Sequence, residues 1–180
     1  MSEELKKIAT RDGFGDEIVA LGKENKNILL VDCDIGKSCK STKFIHDLPE
    51  QHINVGIAEQ NGAGVAAGLA TCGKIPFVVT YAAFGSMRMC EMIRQEICYT
   101  NLNVKIACSH GGVTPANDGA SHQAIEDMGI LRTIPTSASS CPRTTTPPAS
   151  WFVKPPTPTA PCTCALPVTP STRSTAPMWS

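Results

Sequence analysis

The stretch "INVGIAEQNGAGVAAGLATCGKIPFVVTYAAF", Ile53 to Phe84, decides the fold. The apolar run Ile53 to Ile57 reads as a strand, and Ile75 to Thr80 reads as another. Between them Glu59 to Ala70 reads as a helix whose side chains are almost all Gly and Ala. Such small residues permit close approach of a neighbouring backbone or subunit. Strand, helix and strand in this order make a crossover unit of a parallel sheet. Glu59 stands at the junction of strand and helix. From the residues alone it is either a helix-start acid favoured by the macrodipole or a carboxyl group with chemistry to perform.

The same alternation continues on both sides. Glu3 to Glu24 carries Leu5, Ile8, Phe14, Ile18, Val19 and Leu21 at roughly helical spacing. Ile28 to Val31 is an apolar strand ending in Asp32, Cys33 and Asp34, and Thr42 to Leu48 is a short helix. Met87 to Tyr99 is a helix, Val104 to Cys108 a fourth strand, and Ser121 to Met128 a further helix with Ser121 as its cap. Strands that are apolar on both faces and alternate with helices predict an α/β fold, a parallel sheet with helices on both faces. Ligands gather at the carboxyl ends of such strands. Asp34, Glu59, Tyr81 and His110 all fall there.

With 180 residues the chain can bury one α/β core. Sixteen Lys and Arg balance sixteen Asp and Glu, so charge makes no case for nucleic acid or an anionic membrane as partner. No apolar run reaches the roughly 18 residues of a spanning helix, and "MSEELKKIATRDG" lacks a signal-peptide core. A cytoplasmic protein is expected. Its nine cysteines then read as free thiols. No CxxC pair occurs, and Cys33, Cys39, Cys72, Cys90, Cys98 and Cys108 read as core residues, so no metal site is expected.

The texture changes near Pro135. Only three of the 14 prolines (Pro49, Pro76 and Pro115) precede it, no glycine follows Gly129, and no acid follows Asp127. A domain over 1–135 and an irregular, disordered Pro/Thr-rich tail over 136–180 are expected. The tail also reads as an out-of-frame, truncated translation. "TAPCTCALPVT", Thr159 to Thr169, has a permitted coding that one nucleotide earlier gives Tyr-Gly-Pro-Met-Tyr-Met-Arg-Thr-Ser-Arg-Asp. The same shift lets "SCPRTT", Ser140 to Thr145, read Val-Pro-Ala-Asp-Asp. On that reading the last strand of the sheet is lost.

Five motifs, "ATRDGFGDEI", "DCDIGKS", "GIAEQ", "TYAAF" and "SHGGVTPANDGASHQ", occur in order over residues 1 to about 135. Together they resemble the pyrimidine-binding domain of the transketolase family of thiamine diphosphate enzymes, in particular the separate C-terminal chain of two-subunit transketolases. The resemblance implies transfer of a two-carbon ketol unit between sugar phosphates. It implies that Glu59 hydrogen-bonds the ring nitrogen of the cofactor's aminopyrimidine, driving the amino group toward the imino form that deprotonates the thiazolium carbon. A carboxyl group in an apolar recess suits that role. Tyr81 and Phe84, which the residues alone place in the core, become the aromatic wall of the pyrimidine site. Phe84 is the better stacking candidate, because transketolases commonly have Phe at the position of Tyr81. Asp34 lies near the path of the cofactor, and Arg88 either supports the site or is solvated.

By the same resemblance Asp118 and His122 contact substrate hydroxyls, with His122 joining Glu59 as a catalytic residue. Arg11, Ser38 and His110 surround the sugar phosphate with charge-assisted hydrogen bonds. On the residues alone, His110 and His122 belong to a surface turn. The glycine-rich Asp and Asn motif that holds magnesium and diphosphate is absent from the sequence, as is the family's third domain. The resemblance therefore implies an N-terminal partner subunit that carries Mg2+, in a homo-oligomer or heterotetramer.

Other readings predict different features. A deoxyxylulose-phosphate synthase shares "GIAEQ" but would carry a long N-terminal half in the same chain. A pyruvate dehydrogenase beta chain would lack "DGASHQ". A nucleotide-binding module predicts a GxGxxG turn after the first strand, which "DCDIGKSCKS" does not supply. A non-catalytic product of a damaged transketolase gene fits the tail.

Overall fold

The structure is a computed structural model that describes residues 8–113, 115–140, 162–166 and 170–171. β1 (Ile8–Ala9) leads into α1 (Thr10–Glu24), β2 (Ile28–Asp32), α2 (Thr42–Asp47) and β3 (His52–Asn54). α3 (Glu59–Thr71) and β4 (Ile75–Tyr81) follow. Next comes a helix over 84–98, in which two wide π-type segments, Phe84–Arg88 and Ile93–Cys98, flank α4 (Cys90–Met92). β5 (Lys105–Ser109) and α5 (Asp127–Arg132) complete the expected alternation. β6 (Ala138–Ser140), β7 (Cys162–Leu166) and β8 (Pro170–Ser171) come after it.

Six strands form one sheet in the order β3-β2-β4-β5-β7-β6, and every pairing in it is parallel. Every residue of β2 and β5 is buried, as continuous apolar strands require when helices cover both faces. Alternation along each strand divides the core in two. Val31, Val78 and Ile106 turn to one face, where Ala63, Ala66, Met89, Ile93 and Ile97 close over them. Leu30, Phe77 and Val79 turn to the other, against Phe14, Ile18 and Phe44. Gly15 lets α1 approach the chain closely, since a Cβ there would lie 2.2 Å from the Lys40 carbonyl oxygen.

Several expectations are corrected. The strand expected over Ile53 to Ile57 ends at Asn54. The Asn54 side chain accepts from the Gly56 amide at 2.7 Å, Gly56 takes φ +72°, and Ile57 is 78% exposed. Apolar residues in a turn imitated a strand. The helix expected over Ser121 to Met128 is instead two 3-10 turns, Ala116–Asp118 and Ala120–His122, before α5. A backbone bridge between Gly112 and Ala124 holds the chain extended just where that helix would run. Ser121 caps nothing and bonds the His122 ring at 3.0 Å.

Cys33, Cys39, Cys72, Cys90, Cys98 and Cys108 are free thiols; Cys33, Cys39, Cys98 and Cys108 are buried, but Cys72 follows the end of α3 and is exposed. The small-residue stripe of α3 works largely inside the chain, since Gly62, Ala63, Ala66 and Ala67 are all buried. Leu5 and the residues around it in the expected first helix lie outside the described residues. The irregular tail expected from Thr136 onward contains β6, β7 and β8, and the sheet does not stop at β5. Parallel pairing with β7 satisfies the backbone edge that β5 would otherwise leave open. Most of the "SCPRTT" stretch and part of "TAPCTCALPVT" lie outside the described residues.

Candidate active site

The carboxyl ends of β2, β4 and β5 bring the site together. Tyr81 is the last residue of β4, and His110 follows the last residue of β5. Asp34 (φ 62°), Lys40 (φ 64°) and His110 (φ 61°) all take left-handed backbone at this edge. Non-glycine residues in that region mark positions that the surrounding structure forces, and such positions cluster at functional sites.

Glu59 opens α3, and its side chain is only 3% exposed. A buried carboxylate needs a partner, and Arg88 Nη1 donates to Glu59 Oε2 at 3.1 Å while remaining half exposed. The same guanidinium lies 5.1 Å over the Phe84 ring. The wide first turn of the 84–98 helix, closed by Met89 N donating to Phe84 O, carries Phe84 and Arg88 together. Wide π turns of this kind are frequent at functional sites. The sequence reading left Arg88 between support and solvent, and the structure shows both at once.

Tyr81 and Phe84 stand nearly parallel, 14° between planes and 6.2 Å between centroids. His122 meets both edge-on, 5.9 Å from Tyr81 and 5.2 Å from Phe84, and the His110 ring lies 4.0 Å from Tyr81. One connected set of rings thus runs from Arg88 to His110.

On the far side Arg11, near the start of α1, donates from Nη1 to the Ser38 carbonyl and to His110 Nε2, each at 3.2 Å. Ser38 meets Arg11 through its backbone oxygen and not its hydroxyl. His110 is buried, and its pKa is lowered from the ordinary 6.5 to about 4, chiefly by burial and then by the Arg11 charge. Asp118 and His122 both act on it electrostatically. Ser109 and Cys39, beneath His110, drew no functional reading from the sequence. Ser109 Oγ contacts His110 Nδ1 at 2.7 Å and Cys39 Sγ at 3.1 Å. The available signal was a serine and a histidine closing the buried strand β5. Burial pushes the Cys39 thiol up to about 12, so it stays protonated. Asp34 stands apart from this set, exposed and bonded to Asn54 Nδ2 at 3.1 Å.

A flat aminopyrimidine needs an aromatic face and a carboxyl group at its edge, and Phe84, Tyr81 and Glu59 supply both. The pyrimidine end of thiamine diphosphate therefore fits these residues. Among the described residues no three or more His, Cys, Asp or Glu side chains gather as a metal site.

The model of the family described as transketolase, pyrimidine binding domain, matches residues 6–157. The chain belongs to that family. A transketolase C-terminal section of Methanocaldococcus jannaschii is 44% identical over 132 residues, covering 73% of this chain and 42% of its own length. A 1-deoxy-D-xylulose-5-phosphate synthase of Desulfotalea psychrophila is 36% identical over 130 residues, 72% of this chain and 20% of its own. A solved structure described as a split gene transketolase, inactive beta4 tetramer, superposes with TM-score 0.80 at 40% identity. The match covers 97% of this chain and 56% of that one. The chain spans less than half the length of the curated relatives it matches. Among the described residues no helix is long and apolar enough to cross a membrane.

Proposed function

We propose that this chain is the C-terminal subunit of a two-chain transketolase that uses thiamine diphosphate to move a two-carbon ketol unit between sugar phosphates. The observation that carries the reading is the buried Glu59 side chain joined through Arg88 to the Phe84 ring, which faces Tyr81 at the carboxyl end of β4. Thiamine diphosphate supplies, when bound, the carbon that adds to a ketose carbonyl.

The chain's own residues prepare the site. Glu59 holds a proton at the pyrimidine edge, with Arg88 on its Oε2. Phe84 and Tyr81 provide an apolar face that excludes water. Asp118 and His122 bind and orient the sugar hydroxyls, with His122 placed to move a proton at the reacting end. Arg11 meets the phosphate charge with His110 and Ser38 around it, and Asp34 borders the cofactor's path. Magnesium and the diphosphate fall to an N-terminal partner subunit. A cytoplasmic setting, in which free thiols persist, is part of this reading.

A coupled assay with magnesium, thiamine diphosphate and pentose phosphates tests this reading. The chain alone should show no turnover, and a matching N-terminal subunit should be required. Turnover by the chain alone would overturn the split-subunit reading. The identity to a deoxyxylulose-phosphate synthase favours one rival activity, which the same assay run with pyruvate and glyceraldehyde phosphate separates. The absence of glycine after Gly129 and of acids after Asp127 supports an out-of-frame tail beyond residue 135, in a product of a damaged gene. Sequencing the gene across the Ile134 to Ser140 codons tests that, and an uninterrupted frame would sink it.

A further inference from the structure

The polar groups beneath His110 can be followed as one chain from donor to acceptor. Arg11 can only donate, so His110 Nε2, 3.2 Å from Arg11 Nη1, must accept and carries no proton. A neutral imidazole then has its proton on Nδ1, which donates to Ser109 Oγ at 2.7 Å. Ser109 is left to donate its own proton to Cys39 Sγ at 3.1 Å. Cys39 in turn donates to the Thr80 carbonyl at 3.8 Å, at the end of β4. Ser109 and Cys39 are both buried, so neither can turn to water for another partner.

We propose that Ser109 and Cys39 are positioning residues, which hold His110 in its Nδ1–H form so that the bare Nε2 aims Arg11 at the substrate's phosphate. The phosphate part of this statement rests on the proposed function, whereas the tautomer does not. Nε2 receives Arg11, which is held between the His110 ring and the Ser38 carbonyl. The charged and titratable groups that face the ring, Arg11, Asp118 and His122, include two that oppose its protonation and one that favours it. The geometry explains why a serine ends the buried strand β5, and why a buried thiol lies beneath it.

The test is nitrogen-15 NMR of the histidine rings in the full chain without a partner, near neutral pH, with His110 assigned through its Gln variant. The expected pattern for His110 is Nδ1 protonated and Nε2 bare. Ser109→Ala should release it to a mixture of tautomers, Cys39→Ala should do so in part, and Ser109→Thr, which keeps the hydroxyl, should restore the parent pattern. In a reconstituted enzyme Ser109→Ala should raise KM for a phosphorylated sugar about three- to tenfold with little change in kcat. A parent chain with Nε2 protonated, or with both nitrogens protonated, overturns the proposal whatever the variants do. An unchanged pattern in Ser109→Ala overturns it as well. Neither NMR outcome depends on the chain's being a transketolase subunit.

Discussion

At one end of the site a buried carboxylate reaches out to a single half-exposed guanidinium. At the other a guanidinium reaches inward to a run of buried groups. Glu59 and Arg88 are joined by one bond, and Arg88 lies over a ring with half its side chain in water. Arg11 instead meets His110, which is backed by Ser109, Cys39 and the Thr80 carbonyl. A lone bond to a solvated side chain breaks at little cost, whereas a buried chain resists change because each group depends on the next. The Glu59 end is thus held loosely and the Arg11 end firmly.

The largest expected effect is at the Glu59 end. Glu59→Gln keeps the shape and can still accept from Arg88, but has no carboxyl proton to give. In a reconstituted enzyme it should slow turnover about 10² to 10⁴-fold. Wild-type turnover by Glu59→Gln with thiamine diphosphate bound would remove Glu59 from the chemistry.

The support under that end is tested next. A Cβ at Gly85 would lie 2.3 Å from Cys108 Sγ, beneath the turn that carries Phe84 and Arg88. Gly85→Val should cost about 1–3 kcal/mol of chain stability by overpacking. Urea midpoints equal to wild type would show that the turn can shift, and would weaken the case for a fixed Phe84.

Much of this fold was legible in the sequence, because buried parallel strands are continuously apolar. The runs beginning at Ile28, Ile75 and Val104 came within a residue or so of their observed bounds. The errors have physical causes. Val55 and Ile57 are apolar residues in a turn, and a hydrophobic pattern cannot distinguish that from a strand. The bridge between Gly112 and Ala124 is a tertiary contact that replaced a locally plausible helix at Ser121. The wide turns at Phe84 and Ile93 need hydrogen bonds that no periodicity reports. The site divided in the same way. Glu59, Tyr81, Phe84 and His110 could be named from motifs and strand ends. Ser109 and Cys39 could not, because they come to lie under His110 only through the fold, as does the bond from Arg88 to Glu59.

The worth of the lone bond can itself be measured. Arg88→Met removes the only partner of Glu59 among the described residues, which should cost about 1–2 kcal/mol, since the guanidinium is half exposed. In a Glu59→Gln background the same change should cost much less, because no buried charge is stranded. Additive losses in that double-mutant cycle would mean the two residues are not coupled, and the contrast between the ends of the site would lose its basis.

The smallest effect concerns the Arg11 end and pH. His110 is held neutral, with its folded pKa near 4 against an ordinary 6.5. Between these values the unfolded chain binds more protons than the folded one. The contribution to stability is therefore complete above about 6.5 and is lost as pH falls toward 4. Urea unfolding at about pH 7.5 and about pH 5 should show wild type losing more stability than His110→Gln, by on the order of 1 kcal/mol. Other groups titrate over the same range, so only the difference between the two proteins carries the result. Parallel losses would mean that His110 takes up its proton in the folded chain at its ordinary pKa. Nε2 would then no longer be a bare acceptor for Arg11 in mild acid, and the Arg11 end would be held as loosely as the Glu59 end.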